Sequence, residues 1–184
     1  MFRRLISKIG RVLSTNKIPY MIIGGHAVIL YGEPRFTRDI DITLGVGNER
    51  LQDILSIINQ ISLQILPENI DSFVKKTMVL PAMDKNTGIR VDFIFSFTTY
   101  EREAIKRAKK ILIGKTRVSY ASVEDVIIHK VFAHRPQDIE DVKNILLKNS
   151  KIDKDYIIKW LKEFDRSFPK QKFAGMFRKI NNCC

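Results

Sequence analysis

The segment Asp39-Ile40-Asp41-Ile42-Thr43-Leu44 alternates acidic and apolar side chains over its first four positions. A period of two is the pattern of a β-strand, because successive side chains point to opposite faces of a sheet. Asp39 and Asp41 therefore project from the same face, about 6.6 Å apart at 3.3 Å per residue. Two carboxylates at this distance repel each other unless a cation lies between them. A Mg²⁺ ion, which prefers carboxylate ligands and shares its shell with substrate phosphates, meets that requirement.

A third carboxylate lies in a later, mostly apolar segment. Asp92 is the acidic residue of the strand that we predict over Ile89–Phe97. A charge within an apolar strand is costly unless it is paired or coordinated. Asp92 therefore either completes a metal site with Asp39 and Asp41 or faces solvent at a sheet edge.

Two glycines precede the acidic pair. Gly24-Gly25 separates a predicted buried strand, Tyr20–Ile23, from a predicted short helix, His26–Tyr31. Glycine lets backbone amides approach a ligand closely, and a helix N-terminus attracts anions. The signal is weak alone, because many turns from strand to helix contain two glycines, but the acidic pair that follows strengthens it. Phosphate-binding amides combined with a metal-binding pair are what nucleotide transfer requires.

The remaining patterns predict an α+β fold in which strands dominate the middle of the chain and helices its end. Amphipathic or capped segments predict helices over Arg3–Thr15, Glu49–Ile61, Thr99–Arg107, Ser122–His134, Pro136–Lys148 and Asp153–Phe164. Short apolar runs bounded by turn residues predict further strands over Thr77–Pro81, Lys110–Ile113 and Thr116–Tyr120. We expect a core over residues 1–120 and a helical part over residues 121–184 that packs on it.

The composition indicates a folded and strongly basic protein. The 184 residues are 45% hydrophobic and carry a formal net charge of +12, which favours a polyanionic partner such as nucleic acid. A lysine-rich solvated surface would produce the same excess. No apolar run reaches the roughly 18 residues of a membrane span, and the basic N-terminal segment lacks the features of a secretory signal, so we expect a cytoplasmic protein. Cys183 and Cys184 are adjacent and cannot cross-link a fold, which suggests a frayed tail.

Gly24-Gly25-His26-Ala27, followed by the segment from Arg35 to Asp41 and later by Asp92, resembles the signature of the polymerase-beta nucleotidyltransferase superfamily. That pattern has Gly-Gly or Gly-Ser opening a helix, Asp-x-Asp on the next strand and a third Asp on a later strand. The resemblance is closest to the branch of AbiEii-type toxins and minimal nucleotidyltransferases, and it covers about Tyr20 to Leu147. This branch also carries a Lys, an Arg and an Asp-x-x-Asp pattern on C-terminal helices, which is matched by Lys130, Arg135, Asp138 and Asp141.

The resemblance implies a mixed β-sheet flanked by helices and a site with two Mg²⁺ or Mn²⁺ ions. Under it, Asp39 and Asp41 bind both ions. Asp92 completes the metal site and helps the acceptor hydroxyl to lose its proton.

The resemblance also implies a nucleotide-binding set. Gly24 and Gly25 hold the triphosphate, and Lys130 contacts its phosphates or its base. Gly25 replaces the serine of many relatives, so one hydroxyl contact to phosphate is missing. Arg38 either binds phosphate or balances the nearby carboxylates.

The function that follows from the resemblance is transfer of a nucleoside monophosphate from an NTP, such as ATP, to an acceptor hydroxyl. The acceptor could be RNA, such as a tRNA end, a protein, or a small molecule such as an antibiotic. The protein could act as the toxin of a toxin–antitoxin pair, with an antitoxin protein as partner. The alternative is a catalytically inactive protein that binds nucleotide or nucleic acid.

Overall fold

The computed structural model describes residues 1–96 and 98–182, which form two compact units. The first unit combines Met1–Ile23 with Thr37–Ala121, and the second combines Gly24–Phe36 with the residues from Ser122 onward. Cys183 and Cys184, for which the sequence suggests a frayed tail, lie outside the described residues. Within the described part of the chain, no helix has both the length and the apolar character needed to cross a membrane.

The first unit is built on one seven-stranded sheet with the order β3-β4-β5-β2-β1-β7-β6. The strands are β1 (Tyr20–Ile22), β2 (Asp39–Leu44), β3 (Gln64–Ile65), β4 (Val79–Asp84), β5 (Ile89–Phe95), β6 (Lys109–Ile113) and β7 (Thr116–Tyr120). Strand β2 is parallel to β5, and β1 is parallel to β7, whereas the other neighbours are antiparallel. The α+β class and the mixed sheet that the sequence predicts are thereby confirmed.

Helix α1 packs against one face of this sheet, and the acidic residues lie on the other. The helices of the first unit are α1 (Phe2–Thr15), α3 (Leu51–Gln60), α4 (Ile70–Thr77) and α5 (Thr99–Arg107). Helix α1 packs closely, since a Cβ on Gly10 would lie 2.7 Å from the hydroxyl of Tyr20 and 3.0 Å from the side chain of Val118. The strand registers place Ile40 and Ile42 on the same face as Tyr20, and both are fully buried. The alternate residues of β2, Asp39 and Asp41, consequently project from the opposite face.

The second unit is helical. It consists of α2 (Gly24–Tyr31), α6 (Val123–Ala133), α7 (Pro136–Lys148), α8 (Lys154–Ser167) and α9 (Phe173–Asn182). Helix α6 is its centre and contacts the other four helices. Ser122 caps α6, because its hydroxyl accepts a hydrogen bond of 3.2 Å from the amide of Asp125.

Most predicted elements are present, and their misplaced boundaries have local causes. Helix α2 begins at Gly24 rather than His26, because Gly24 adopts a φ of +64° that allows the helix to start directly after the strand. A 3₁₀ turn, Asn48–Arg50, replaces the predicted start of α3. The strand predicted over Thr77–Pro81 begins instead at Val79, because Thr77 ends helix α4 and Met78 turns the chain with a φ of +57°.

Candidate active site

Asp39, Asp41 and Asp92 come together on one face of the sheet. Asp41 on β2 is the register partner of Asp92 on β5, and Asp39 is the partner of Arg90. Paired residues of neighbouring strands point to the same face, with strands about 4.8 Å apart. The structure thus places all three predicted carboxylates, and one arginine, on the face that α1 does not cover. We call these four residues the acidic face.

Arg90 is the member of the acidic face that the sequence analysis missed. Its Nε donates to Oδ1 of Asp92 over 2.8 Å. This hydrogen bond is the main reason why the pKa of Arg90 lies above its ordinary value. Burial acts in the opposite direction, and the negative charges of Asp92, Asp39 and Asp41 reinforce the rise. The sequence could have predicted the position of Arg90, because Arg90 and Asp92 are two residues apart on β5 and therefore share a face.

Two threonines border the acidic face. The hydroxyl of Thr37 lies 3.4 Å from Oδ1 of Asp39 and 3.4 Å from its carbonyl oxygen, which restrains the start of β2. Thr43, two residues beyond Asp41 on the same face, is only 1% exposed, and its Oγ1 has no hydrogen-bond partner among the described residues. The buried end of the face is therefore closed, and Asp39 and Asp41, each partly exposed, lie toward its open end.

The chemistry of the acidic face suits a hard divalent cation, although no complete cage is present. Among residues 1–96 and 98–182, no three His, Cys, Asp or Glu side chains are close enough to hold a metal ion by themselves. Mg²⁺ does not require such a cage, because it is commonly bound by one or two carboxylates together with waters and substrate phosphates. Asp39, Asp41 and Asp92 supply carboxylates on a single face, so this donor set fits the ion.

The Gly24-Gly25 pair lies in the second unit, at the start of α2. The φ of +64° at Gly24 belongs to the left-handed region, which residues with a Cβ rarely adopt. Gly25 is buried. The first amides of an α-helix have no partner within the helix and are oriented for an anion. The local geometry at Gly24 therefore favours glycine, whatever the pair binds.

Lys130 lies in the interior of the second unit. It is 4% exposed, and its Nζ lies 2.7 Å from Oδ1 of Asp138 and 3.0 Å from Oδ2 of Asp141. Arg135 pairs with Asp138 at 2.6 Å, and Arg35 pairs with Asp141 at 3.4 Å. We call these five residues the buried ion cluster. Both aspartates thus pair with Lys130, and Asp138 also pairs with Arg135, whereas nucleotide binding by Lys130 stays a prediction.

The charges of the buried ion cluster lower the pKa of Asp138. Burial alone would raise the pKa of Asp138. The hydrogen bonds from Arg135 and Lys130, together with their positive charges, outweigh burial and leave this pKa below its ordinary value. Lys130 also acts on its neighbour His129, whose pKa is lowered to about 4, first by burial and second by the lysine charge.

A comparison with protein families identifies the family of this chain. The model of a family described as nucleotidyltransferases of unknown function, DUF6036, matches residues 1–179. The chain belongs to the DUF6036 family. No curated protein sequence matches this DUF6036 protein significantly.

Solved structures confirm the fold of the DUF6036 protein. The antibiotic-resistance factor ANT(2'')-Ia is 20% identical, with a TM-score of 0.56 over 79% of this chain and 82% of its own. A nucleotidyltransferase-like protein from Paracoccidioides brasiliensis is 13% identical, with a TM-score of 0.60 over 96% of this chain and 91% of its own. The lincosamide antibiotic adenylyltransferase LnuA is 16% identical, with a TM-score of 0.54 over 77% of this chain and 94% of its own. At these identities the likeness establishes the nucleotidyltransferase fold and not a substrate.

Proposed function

We propose that this DUF6036 protein transfers a nucleoside monophosphate from an NTP to an acceptor hydroxyl and releases pyrophosphate. The observation that carries the proposal is the register of β2 and β5, which puts Asp41 opposite Asp92 with Asp39 two residues away on the same face. Three carboxylates with a single arginine leave an excess of negative charge on that face. Membership of a nucleotidyltransferase family supports the reaction type.

Each residue of the acidic face has a chemical task in this reaction. Asp39 and Asp41, with Asp92, would hold two divalent ions, which when bound neutralise the triphosphate and polarise the α-phosphorus. Asp92 accepts the proton of the acceptor hydroxyl, and Arg90, which donates to Asp92 over 2.8 Å, partly neutralises the negative charge of the face. The acceptor oxygen then forms a bond to the α-phosphorus, and the bond to the bridging oxygen breaks as pyrophosphate leaves.

The nucleotide-binding residues of the proposal are Gly24, Gly25, Arg38 and Lys130. Helix N-terminal amides at the two glycines would bind triphosphate oxygens, and the exposed Arg38 would add a guanidinium for phosphate. Lys130 is only 4% exposed, and both of its carboxylate partners would compete with a nucleotide.

We infer that the acceptor is a polyanion, RNA such as a tRNA end in first place and an acidic protein in second. The net charge of +12 supports this choice and argues against a cationic antibiotic. The same proposal includes membership of the AbiEii-like branch and a role as a toxin with an antitoxin partner. It also includes a cytoplasmic site of action, where NTPs are present. The motif of Lys130, Arg135, Asp138 and Asp141 supports the branch.

Transfer of label tests the proposal directly. The purified protein is incubated with each α-³²P-labelled NTP, Mg²⁺ or Mn²⁺, and total cellular RNA and protein. A double variant, Asp39→Asn with Asp41→Asn, keeps the side-chain shapes and removes two charges. Asp71→Asn, at an exposed position in the first turn of α4, is a matched control for the loss of a carboxylate.

We expect labelled RNA from the native protein and from the Asp71 variant, and a rate at least about 10³-fold lower from the double variant. Label in protein would identify a protein acceptor. Metal-dependent NTP binding without any transfer would favour the inactive nucleotide-binding alternative. No transfer and no metal-dependent NTP binding would refute the catalytic proposal.

A further inference from the structure

Helix α1 carries an excess of positive charge that its own surroundings do not neutralise. Its sequence contains four basic residues, Arg3, Arg4, Lys8 and Arg11, and no acidic residue. Arg3 and Arg4 lie in the first turn, where the helix dipole favours anions. Arg4, Lys8 and Arg11 follow one another at spacings of four and three, so that like charges are neighbours on one side of the helix, an arrangement that destabilises an isolated helix.

These cations line a surface cavity in the first unit. The cavity measures about 810 Å³ and is bounded by Arg4, Lys8 and Arg11 of α1, by Thr116 and by the turn between β4 and β5, where Asp84 and Thr87 lie. Asp84 is the one carboxylate in the lining, and its Oδ2 already accepts a hydrogen bond of 2.7 Å from the hydroxyl of Thr87.

Two of the cations remain available to a ligand. Lys8 is engaged, because its Nζ donates to the carbonyl oxygen of Ile61 at the end of α3 over 2.7 Å. The side chains of Arg4 and Arg11 are exposed, and in the part of the chain that the structure describes neither forms an ion pair or a hydrogen bond. A guanidinium presents several donors in a plane and is suited to phosphate oxygens.

A second basic cavity continues the charge at the C-terminal end of α1. It measures about 380 Å³ and is lined by Lys17, Lys106 and Lys110. Lys106 pairs with Glu103 at 3.6 Å and Lys110 donates to the hydroxyl of Ser119 over 2.7 Å, so Lys17 is the lysine of this lining that the basic charge of α1 reaches first. From Arg4 to Thr15, where α1 ends, the helix advances by 11 residues, about 17 Å at 1.5 Å per residue, and Lys17 lies in the turn that follows. This line of charge is too long for one phosphate group. It corresponds to about five stacked nucleotides at the 3.4 Å per nucleotide of a duplex strand. We call Arg4, Lys8, Arg11 and Lys17 the basic path.

The basic path is separate from the acidic face, yet a strand could reach both. Asp84 and Ile89 are register partners and lie on the helix-covered face, whereas Asp92 lies on the other. The turn that bounds the larger cavity leads directly into β5, and Thr87 precedes Asp92 by five residues, about 16 Å along an extended chain.

We propose that the basic path along α1 binds the sugar-phosphate backbone of a single-stranded RNA whose end is the acceptor at the acidic face. This inference deepens the proposed function, on which it rests for the role of the bound strand. The binding itself requires neither nucleotide nor metal and can be measured without either.

The test is the binding of a fluorescein-labelled 12-nucleotide single-stranded RNA, followed by fluorescence anisotropy in EDTA between 50 and 300 mM salt. The variant Arg4→Gln with Arg11→Gln removes the two available guanidinium groups. The control, Lys75→Gln with Lys76→Gln, removes two exposed cations from α4 in the same unit. Thermal unfolding of all three proteins checks that each is folded.

We expect the Arg4/Arg11 variant to bind at least about tenfold more weakly at 0.1 M salt, with a salt slope smaller by about 1.4, since each phosphate contact contributes about 0.7 for a single strand. The control should stay within twofold of the native protein, and a 3-nucleotide RNA should bind poorly to both. An unchanged slope in the Arg4/Arg11 variant, or an equal loss in the control, would overturn the proposal.

Competition separates the possible occupants. Unlabelled RNA should displace the probe, and poly-glutamate or tripolyphosphate at the same charge concentration should not. Equal displacement by poly-glutamate would indicate an acidic protein, and equal displacement by tripolyphosphate a free phosphate compound, and either result would overturn the assignment to RNA. RNA binding without any label transfer by the native protein would refute the proposed function and leave the basic path intact.

Discussion

The acidic face of the sheet and the buried ion cluster of the helical unit use the same residue types in opposite ways. On the acidic face, three carboxylates meet one arginine, whose side chain is 52% exposed. In the buried ion cluster, the side chains of Asp138 and Asp141 are only 1% and 3% exposed, and they meet one lysine and two arginines. The first group therefore has two negative charges in excess, and the second has one positive charge in excess.

Under the proposed function, this difference separates a site that a bound cation would complete from a cluster whose carboxylates are already paired within the fold. An exposed carboxylate surplus on one face is relieved when a cation binds. Buried carboxylates without partners would be too costly to keep ionised, so their cations are part of the fold. Spacing in the sequence does not distinguish the two cases, because Asp-x-Asp on a strand and Asp-x-x-Asp on a helix both bring two carboxylates to one side.

The largest expected effect on stability is that of Lys130→Met. This change leaves Asp138 and Asp141 buried without their shared ammonium group, and we expect it to lower the free energy of unfolding by about 3–5 kcal/mol. Asp41→Asn on the acidic face should change it by less than about 0.5 kcal/mol, because it reduces a charge surplus at a partly exposed position. Urea denaturation of both variants measures the difference.

A compensated variant controls for the shape of the new side chain. Lys130→Met combined with Asp138→Asn and Asp141→Asn removes the stranded charges and should recover part of the lost stability. If Lys130→Met kept its unfolding free energy and instead weakened NTP binding, Lys130 would be a nucleotide ligand, as its motif predicts, and the buried ion cluster would not be structural.

A smaller effect is expected from pH through His129, which adjoins the buried ion cluster. The pKa of His129 is lowered from 6.5 to about 4, and its Nε2 is buried while the residue keeps some exposure. Between these values the unfolded chain binds a proton that the folded protein does not. Stability therefore falls as the pH decreases from 6.5 to about 4, by about 2–3 kcal/mol in total.

The variant His129→Gln should flatten this part of the profile, measured by urea denaturation at pH 7, 5.5 and 4. Asp138 affects stability in more acid solution, because its pKa is lower in the folded protein than in the unfolded chain. Its contribution to stability is present above the pKa of the unfolded chain and is lost as the pH falls through the pKa of the folded protein. An equally steep decline between pH 7 and 4 in the His129 variant would show that another group is responsible.

Local patterns predicted the strands of the acidic face but not the surroundings of its charges. Strand β2 and helix α5 have the predicted bounds, because alternation and capping are encoded within a few residues. Helix α9 was missed, since Gly175 and its basic residues obscured the buried positions Phe173, Phe177 and Ile180. The burial of Lys130 depends on the carboxylates of the next helix, and the grouping of α2 with the C-terminal helices joins segments about 90 residues apart. A pattern within a few residues predicts neither the burial of Lys130 nor this grouping of helices.

Arg90→Gln is expected to have the smallest effect, and it tests most directly the contrast between the acidic face and the buried ion cluster. Arg90 donates to Asp92 and faces Asp39 across the strands, so its positive charge opposes a divalent cation bound to the same carboxylates. Because this ion pair is partly exposed, its loss should change the free energy of unfolding by less than about 1 kcal/mol.

Without the guanidinium of Arg90, Mn²⁺ should bind several-fold more tightly in a calorimetric titration. Arg50→Gln, which removes the arginine of the exposed pair with Asp53, should leave Mn²⁺ binding unchanged. Weaker Mn²⁺ binding by the Arg90 variant would mean that Arg90 holds Asp92 in its binding orientation. The acidic face would then depend on its own cation, as the buried ion cluster depends on Lys130, and the charge surplus alone would not define the site.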